Sequence, residues 1–386
     1  MRTFNSLFSQ LLALFSRADF AAAVRKHRAE RAAKGFDCWT QFVAMLFCQL
    51  GRAHSLREIC GGLASVEGKL NHLGVGAAPR RSTLSYANAH RPAALFKEIF
   101  DTLLARCQSI AAPRKFRFKN KLYSLDASII DLCLSMYDWA KFRRTKGAIK
   151  LHLLLDHDGY LPSYCVITEG KVHEIRVARS LELPAGAIVV ADRGYVDYLW
   201  LDSLEEGGVF FVTRLKDNAS FTVEAQLSAP KGRILSDGLI HLPGSGQSLN
   251  AARVLRRVIV WDEVNEREIV LLTNNFKLAA ATIAAIYKER WQIELFFKAL
   301  KQNLKIKTFV GTSANAVHIQ IWTALIAILL LKYLQMRSRL GWSLSNLIAL
   351  LRLNLFVHRD LWAWLDQPYE PPPETLAATQ PTFAFA

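Results

Sequence analysis

A chain of 386 residues with 51% hydrophobic and 21% charged side chains has the apolar content for two or three cored domains, which excludes a disordered protein. Its formal charge of +16 points to a polyanionic partner, either nucleic acid or an anionic membrane. The membrane is the weaker option, because the most apolar stretch, 319–331, contains Gln320 and Thr323 and falls short of the ~20 residues a spanning helix needs.

Residues 1 to about 110 read as helices, with apolar positions at helical spacing near 4–16, 18–33, 38–50, 55–63 and 92–110. Ser6, Ser9 and Gln10 interrupt the first of these at helical period, so it reads as an amphipathic helix and not a secretion signal. Gly61-Gly62 and the run from Gly74 to Pro79 read as breaks. The stretch PRRSTLSYANAHR, 79–91, predicts a short helix capped by Ser82 or Thr83, with Arg80 and Arg81 just ahead and Tyr86, Asn88, His90 and Arg91 along it. Such a helix suits DNA contact, and equally an ordinary basic surface. A basic linker follows, with Arg114, Lys115, Arg117, Lys119 and Lys121 close together. The six cysteines form no CxxC pair and stand in apolar surroundings, which predicts buried reduced thiols in a cytoplasmic protein and no structural zinc.

The period then shortens. KLYSLDASIIDLCL, 121–134, is a strand, and 148–168 is a hairpin turning at Asp158-Gly159. A helix at 174–182, a strand at 187–194, a helix at 196–206 and a strand at 209–216 complete a pattern that predicts an α/β class, a mixed sheet covered by helices. Residues 217–275 read as extra β structure, and helices return from 278 to 365. The Pro-rich end reads as a disordered tail.

Asp126 stands in an apolar strand whose alternation sets Ser124, Asp126 and Ser128 on one side, and Asp192 ends the apolar run IVVAD. Two such carboxylates at one sheet edge are costly unless a cation neutralises them, a task that suits Mg²⁺. Taken singly, each acid has an ordinary explanation; for Asp192 it is an ion pair with Arg193. Tyr287, Arg290, Glu294, Lys298 and Lys301 are spaced by three, four, four and three residues in YKERWQIELFFKALK, which has no Gly or Pro and predicts one uninterrupted helix. On it the five fall within an arc of roughly 80°. Apolar Ile286, Trp291, Ile293, Leu295, Phe296, Phe297 and Leu300 fill much of the rest, Trp291 most simply as core. Alone, the stripe reads as a solvated face with a Glu294–Lys298 pair worth a few tenths of a kcal/mol. With the two aspartates, Glu294 becomes the third carboxylate of a two-metal site for phosphoryl displacement.

Asp126, the DRGY at Asp192–Tyr195 and the Y-x2-R-x3-E-x6-K pattern at Tyr287, Arg290, Glu294 and Lys301 resemble the DDE transposases of the insertion-sequence-4 group. The resemblance extends over nearly the whole chain. It implies a ribonuclease H-like core with a metal triad of Asp126, Asp192 and Glu294 binding two Mg²⁺ ions, with Mn²⁺ as a substitute. It implies cut-and-paste DNA transposition, in which a nick, a hairpin intermediate and strand transfer share one site. Tyr287, Arg290, Lys298 and Lys301 are then phosphate contacts, Lys298 lying outside the four-residue signature. Arg80 and Arg81 are N-terminal DNA contacts. Trp261 is a candidate for holding a flipped base, with ordinary strand packing as the alternative. The implied partners are double-stranded DNA (terminal inverted repeats and target) and a second copy of the chain as a homodimer, with no membrane, in the cytoplasm at the nucleoid.

The expected division is 1–112 as a helical N-terminal DNA-binding domain, 113–216 as the first part of the catalytic core, 217–276 as a β-rich insertion, 277–312 as the core completed by the signature helix, 313–366 as C-terminal helices and 367–386 as the tail. The competing readings are a catalytically silent DNA-binding relic and a host nuclease or resolvase with the same core.

Overall fold

The structure is a computed structural model that describes residues 5–31, 33, 35–66, 70–113, 116, 118–143, 146–228, 230–243, 252–304, 306 and 308–369. Most of the Gly/Pro/Ser-rich turn region expected around 242–248, from 244 on, part of the basic linker and the tail from 370 lie outside the described residues.

Among the described residues, six α-helices precede the sheet: α1 (Leu7–Leu12), α2 (Arg17–Lys26), α3 (Cys38–Leu50), α4 (Leu56–Ala64), α5 (Arg81–His90) and α6 (Ala93–Gln108). Ser6, Ser16, Asp37 and Ser55 cap the first four, each side chain accepting from the amide three residues on. Two expectations are corrected here. Gly61 and Gly62 do not break the chain but lie inside α4, where a Cβ on Gly62 would come within 2.9 Å of the Phe47 ring. Gly62 serves close packing of α4 on α3, whereas Gly61 is open to solvent. Ser82 and Thr83 do not cap α5, because its ladder already starts at the Arg80 carbonyl, which accepts from Leu84 N at 3.0 Å.

A ten-stranded sheet follows: β1 (Leu122–Leu132), β2 (Lys141–Arg143), β3 (Lys146–Asp156), β4 (Leu161–Glu169), then α7 (Glu174–Ala178), β5 (Ile188–Ala191), α8 (Tyr198–Glu206), β6 (Phe210–Arg214), β7 (Thr222–Ser228), β8 (Ile234–Pro243), β9 (Ala252–Asp262) and β10 (Arg267–Thr273). Its order is β2-β3-β1-β5-β6-β10-β9-β8-β7, with β4 on β3. Strands β1, β5 and β6 are parallel neighbours, and the other pairings are antiparallel. The hairpin turns at Gly159 as expected, with φ +73°. Strand β10 pairs with β6, so β7–β10 prolong the core sheet.

Helices α9 (Ala280–Glu289), α10 (Trp291–Asn303), α11 (Ala314–Arg337), α12 (Leu344–Asn354) and α13 (Leu361–Asp366) complete the chain. The expected single signature helix is two, joined at Arg290. The ladder tightens there to three-residue steps, Arg290 N to Tyr287 O at 3.1 Å and Ile293 N to Arg290 O at 3.2 Å. Arg290 keeps helical angles, φ −51° and ψ −30°, so the direction carries on through the joint.

One large core unites the N-terminal helices, α10 and the C-terminal helices around α11. Helix α11 is long and apolar enough to cross a membrane, yet 83% of its most apolar window is buried within the fold. The sheet's two faces bury separate clusters, Val189, Ala191 and Phe211 with α8 on one, and Leu122, Ile188, Val190 and Val212 with Ile283 and Ile286 of α9 on the other. The thiol expectation holds for four of six cysteines; Cys133 is exposed, beside the Ser135 hydroxyl at 3.1 Å, and Cys60 is half-buried.

Candidate active site

Strand alternation assembles the site. Leu122, Ile188, Val190 and Val212 face α9, so the positions that continue their period are Ser124 and Asp126 on β1, Asp192 just past β5, and Arg214 ending β6. The parallel register pairs Leu125 with Ala191, which sets Asp126 level with Asp192 on the adjoining strand. Asp126 lies at the level where β5 ends, and its Oδ1 accepts the Ala127 amide at 2.8 Å. Burial pushes its carboxyl up to about 6, with the Glu294 and Asp192 carboxylates adding to the rise and the Ala127 amide and Arg290 opposing it.

The helical stripe packs over this edge. Arg290 donates to Glu294 Oε1 at 2.6 Å, and its guanidinium lies 5.8 Å from the Tyr287 ring centre. Burial disfavours the Arg290 charge, but Tyr287, Glu294 and Asp192 outweigh it and hold the group above its usual range. Burial and the nearby Asp192 raise the Tyr287 phenol, against Arg290 and Arg214. A cavity of about 350 Å³ is lined by Asp126, Ser128, Glu294, Lys298, Lys301 and Gln302, among others. Lys301 Nζ donates to the Ile129 carbonyl at 3.0 Å, tying α10 to β1. The stripe is therefore not wholly a solvated face: a strand edge, a cavity and the half-buried Arg290 and Lys301 surround Glu294, while Lys298 is exposed.

Asp126 and Glu294 line one cavity, with Asp192 level with Asp126 on the adjoining strand, and acids of this kind suit a divalent cation. In this conformation Asp126 and Glu294 share the cavity, while Arg290 takes Glu294. Among the described residues no three acidic, His or Cys side chains stand within shared reach of one ion.

Other candidates fall differently. Arg193 pairs with Asp217 and leaves Asp192 to the cluster. Tyr195 of the DRGY motif packs into the core behind β5. Glu174 pairs with Lys150 at 2.7 Å, and His173 caps α7. Trp261 is 38% exposed near the end of β9, three residues past the Val258–Leu271–Arg214 alignment, outside the cavity but toward the same edge. Arg80, Arg81 and Tyr86 are exposed on or beside α5, with Tyr86 stacked on His90 at 4.0 Å. Asn88 and Arg91 do not belong with them. Asn88 is buried against Gln41 and Met45, and Arg91 donates to the Asp37 carbonyl and Gln41.

Two residues of the edge escape sequence reasoning. Arg214 has a usable signal, as the charged last residue of a strand parallel to the one that ends at Asp192. Trp291, expected in the core, is 55% exposed. The buried stripe of α10 is Ile293, Phe296, Phe297 and Leu300, and Trp291 lies roughly 160° from its centre, flanking Lys298.

Residues 117–330 match the family described as Transposase DDE domain, and residues 3–76 match a domain of unknown function, DUF4372. The chain is 34% identical over 312 residues to the transposase y4zB of Sinorhizobium fredii, covering 79% of this chain and 86% of that one. It is 31% identical over 269 residues to the transposase of insertion sequence element IS5377 from Geobacillus stearothermophilus, covering 68% and 70%. Among solved structures, a piggyBac transposase synaptic complex with hairpin DNA aligns with TM-score 0.45 and 10% identity over 95% of this chain and 82% of that one.

Proposed function

This chain belongs to the DDE transposases of insertion sequences, enzymes with a ribonuclease H-like core that cleave and transfer DNA strands, and on that premise we propose how its residues do so. DDE transposase domains depend on divalent metal. Asp126, Asp192 and Glu294 would hold two Mg²⁺ ions, with Mn²⁺ able to substitute, and the ions supply an activated attacking oxygen and a stabilised leaving oxygen. The single observation that supports this assignment is the cavity shared by Asp126, Glu294, Lys298 and Lys301, with Asp192 level with Asp126 on the adjoining strand.

The protein's own groups then have distinct tasks. Arg290 pairs with Glu294 and would grip a phosphate through its planar fork. Tyr287 and Arg214 flank the Asp192 side, and Lys298 and Lys301 line the cavity as mobile point charges for the backbone. A nick at the element end frees a 3′-hydroxyl; its attack on the opposite strand gives a hairpin, a second water opens it, and the same site joins the 3′ end to target DNA. Trp261, and the exposed Trp291 beside Lys298, offer rings on which an unstacked base can rest. Arg80, Arg81 and Tyr86 supply N-terminal DNA contacts. We place the protein on two element ends as a homodimer.

The test is a duplex carrying the inverted repeat that flanks the coding sequence. Purified protein with Mg²⁺ cuts at the repeat boundary, and chelation stops it; cutting unaffected by chelation, or absent with every flanking repeat, refutes the reading. Acidification gives a second expectation. The Asp126 proton must leave before that carboxylate can ligate, so the Mg²⁺ needed for half-maximal cleavage rises as pH falls through about 6. A requirement that stays flat through that range contradicts it. For the backbone contacts, Lys301→Ala lowers the salt slope of DNA binding by about one, while Lys301→Arg keeps the slope and more of the activity. An unchanged slope in the alanine variant removes Lys301 from the DNA path.

A further inference from the structure

Beneath the acidic cluster lies a buried polar chain that the reaction above does not use. Ser124 Oγ is 2.7 Å from His157 Nε2, and His157 Nδ1 is 3.5 Å from Glu289 Oε2. Ser124 is fully buried and His157 nearly so. Serine, histidine and glutamate in line resemble a hydrolytic triad, but a serine without solvent contact has no route to a substrate. The three residues come from three elements. Ser124 is on β1 two residues before Asp126 and on its face, His157 follows β3, and Glu289 is the last residue of α9, directly before Arg290.

We propose that His157 is a positioning residue, and that the Ser124–His157–Glu289 chain fixes the α9–α10 joint against β1, setting where Arg290 and Glu294 stand relative to Asp126. The joint needs such a brace. At Arg290 the ladder relies on three-residue steps, a weaker geometry than the four-residue steps on either side. The His157 backbone is itself held, its amide donating to the Leu122 carbonyl at 3.1 Å, and its ring meets Tyr160 edge-on at 5.5 Å. The Nε2–Ser124 contact is a hydrogen bond whose donor depends on the tautomer, and the Nδ1–Glu289 contact at 3.5 Å is electrostatic, without hydrogen-bond geometry. The imidazole thus couples strand and helix through its two nitrogens, as outer partners orient ligands in metal sites.

The inference rests on the proposed role of Asp126 and Glu294, and its test separates the two. Single-turnover cleavage of the flanking-repeat duplex is measured for wild type, Glu289→Ala, Glu289→Gln, His157→Ala and the double alanine variant, beside duplex affinity without divalent metal. Wild-type cleavage, lost in Glu294→Gln, establishes the site independently of His157. The expected result is a loss of about 10- to 100-fold in cleavage rate for either alanine variant, with unchanged affinity. The double variant loses no more than the worse single one, and Glu289→Gln, which keeps an acceptor, recovers most of the rate. Rates within twofold of wild type, additive losses, or losses matched by equal losses of affinity overturn the proposal. If His157→Ala fails to fold, the half-exposed Glu289 and its glutamine variant carry the decision through the same rate and affinity readouts.

Discussion

Replacing Glu294 by Gln is expected to abolish strand cleavage, by on the order of a thousandfold or more, while DNA binding is kept or strengthened. The change preserves size and one carbonyl acceptor, so the Arg290 contact at 2.6 Å survives in neutral form. What goes is a formal charge on an edge that already holds Asp126 and Asp192. That charge repels phosphate, so its removal does not weaken the duplex; affinity comes from the basic groups and from counterion release. On the proposed role the same charge holds the cation, so cleavage falls. Equal falls in cleavage and binding would mean that Glu294 shapes the protein and does not serve the chemistry. Gel-shift titration and end-labelled cleavage on one duplex distinguish these outcomes.

The second large effect is on stability. Arg256→Ala is expected to cost about 3–5 kcal/mol, because it strands a buried carboxylate. Arg256 and Asp237 are 4% and 2% exposed and meet through two parallel bonds of 2.8 Å. Arg256 also donates to the Asn275 and Leu278 carbonyls, just ahead of α9. The pair thus locks β8 and β9 to the segment that leads into the signature helices. Exchanging both partners for apolar residues, Arg256→Met with Asp237→Leu, removes the stranded charge and is expected to restore most of the loss. Denaturant midpoints of the three variants give the comparison. A single variant within about 0.5 kcal/mol of wild type, the range of ordinary surface changes, refutes the buried-pair account.

The carboxylates were legible because their positions follow from local periods. Alternation in YSLDASII, the end of IVVAD, and the three- and four-residue steps from Tyr287 to Lys301 each require only neighbours along the chain. The strand and helix order through Arg214, apart from the short β2, was legible for the same reason. What escaped depends on packing between distant segments. Gly62 packs against Phe47 inside a continuing helix, and Asn88 turns inward because Gln41 offers it a partner. Trp291 sits among apolar letters yet faces outward, since the core takes the stripe centred on Ile293 and Leu300. The joint at Arg290 has no breaker residue to announce it. The Ser124–His157–Glu289 chain spans three elements that no single period connects. Arg214 was within reach of the strand argument, which followed only the acids.

The central claim, that the carboxylate of Asp126 touches the cation during DNA cleavage, is tested most directly by Asp126→Cys in two metals. A thiolate is a poor ligand for Mg²⁺ and a better one for Mn²⁺. The account predicts that Asp126→Cys does not cut the flanking-repeat duplex in Mg²⁺, regains cutting in Mn²⁺, and that Asp126→Ala is inactive in both. Wild-type cutting by Asp126→Cys in Mg²⁺, or the same residual activity for cysteine and alanine in Mn²⁺, would contradict it.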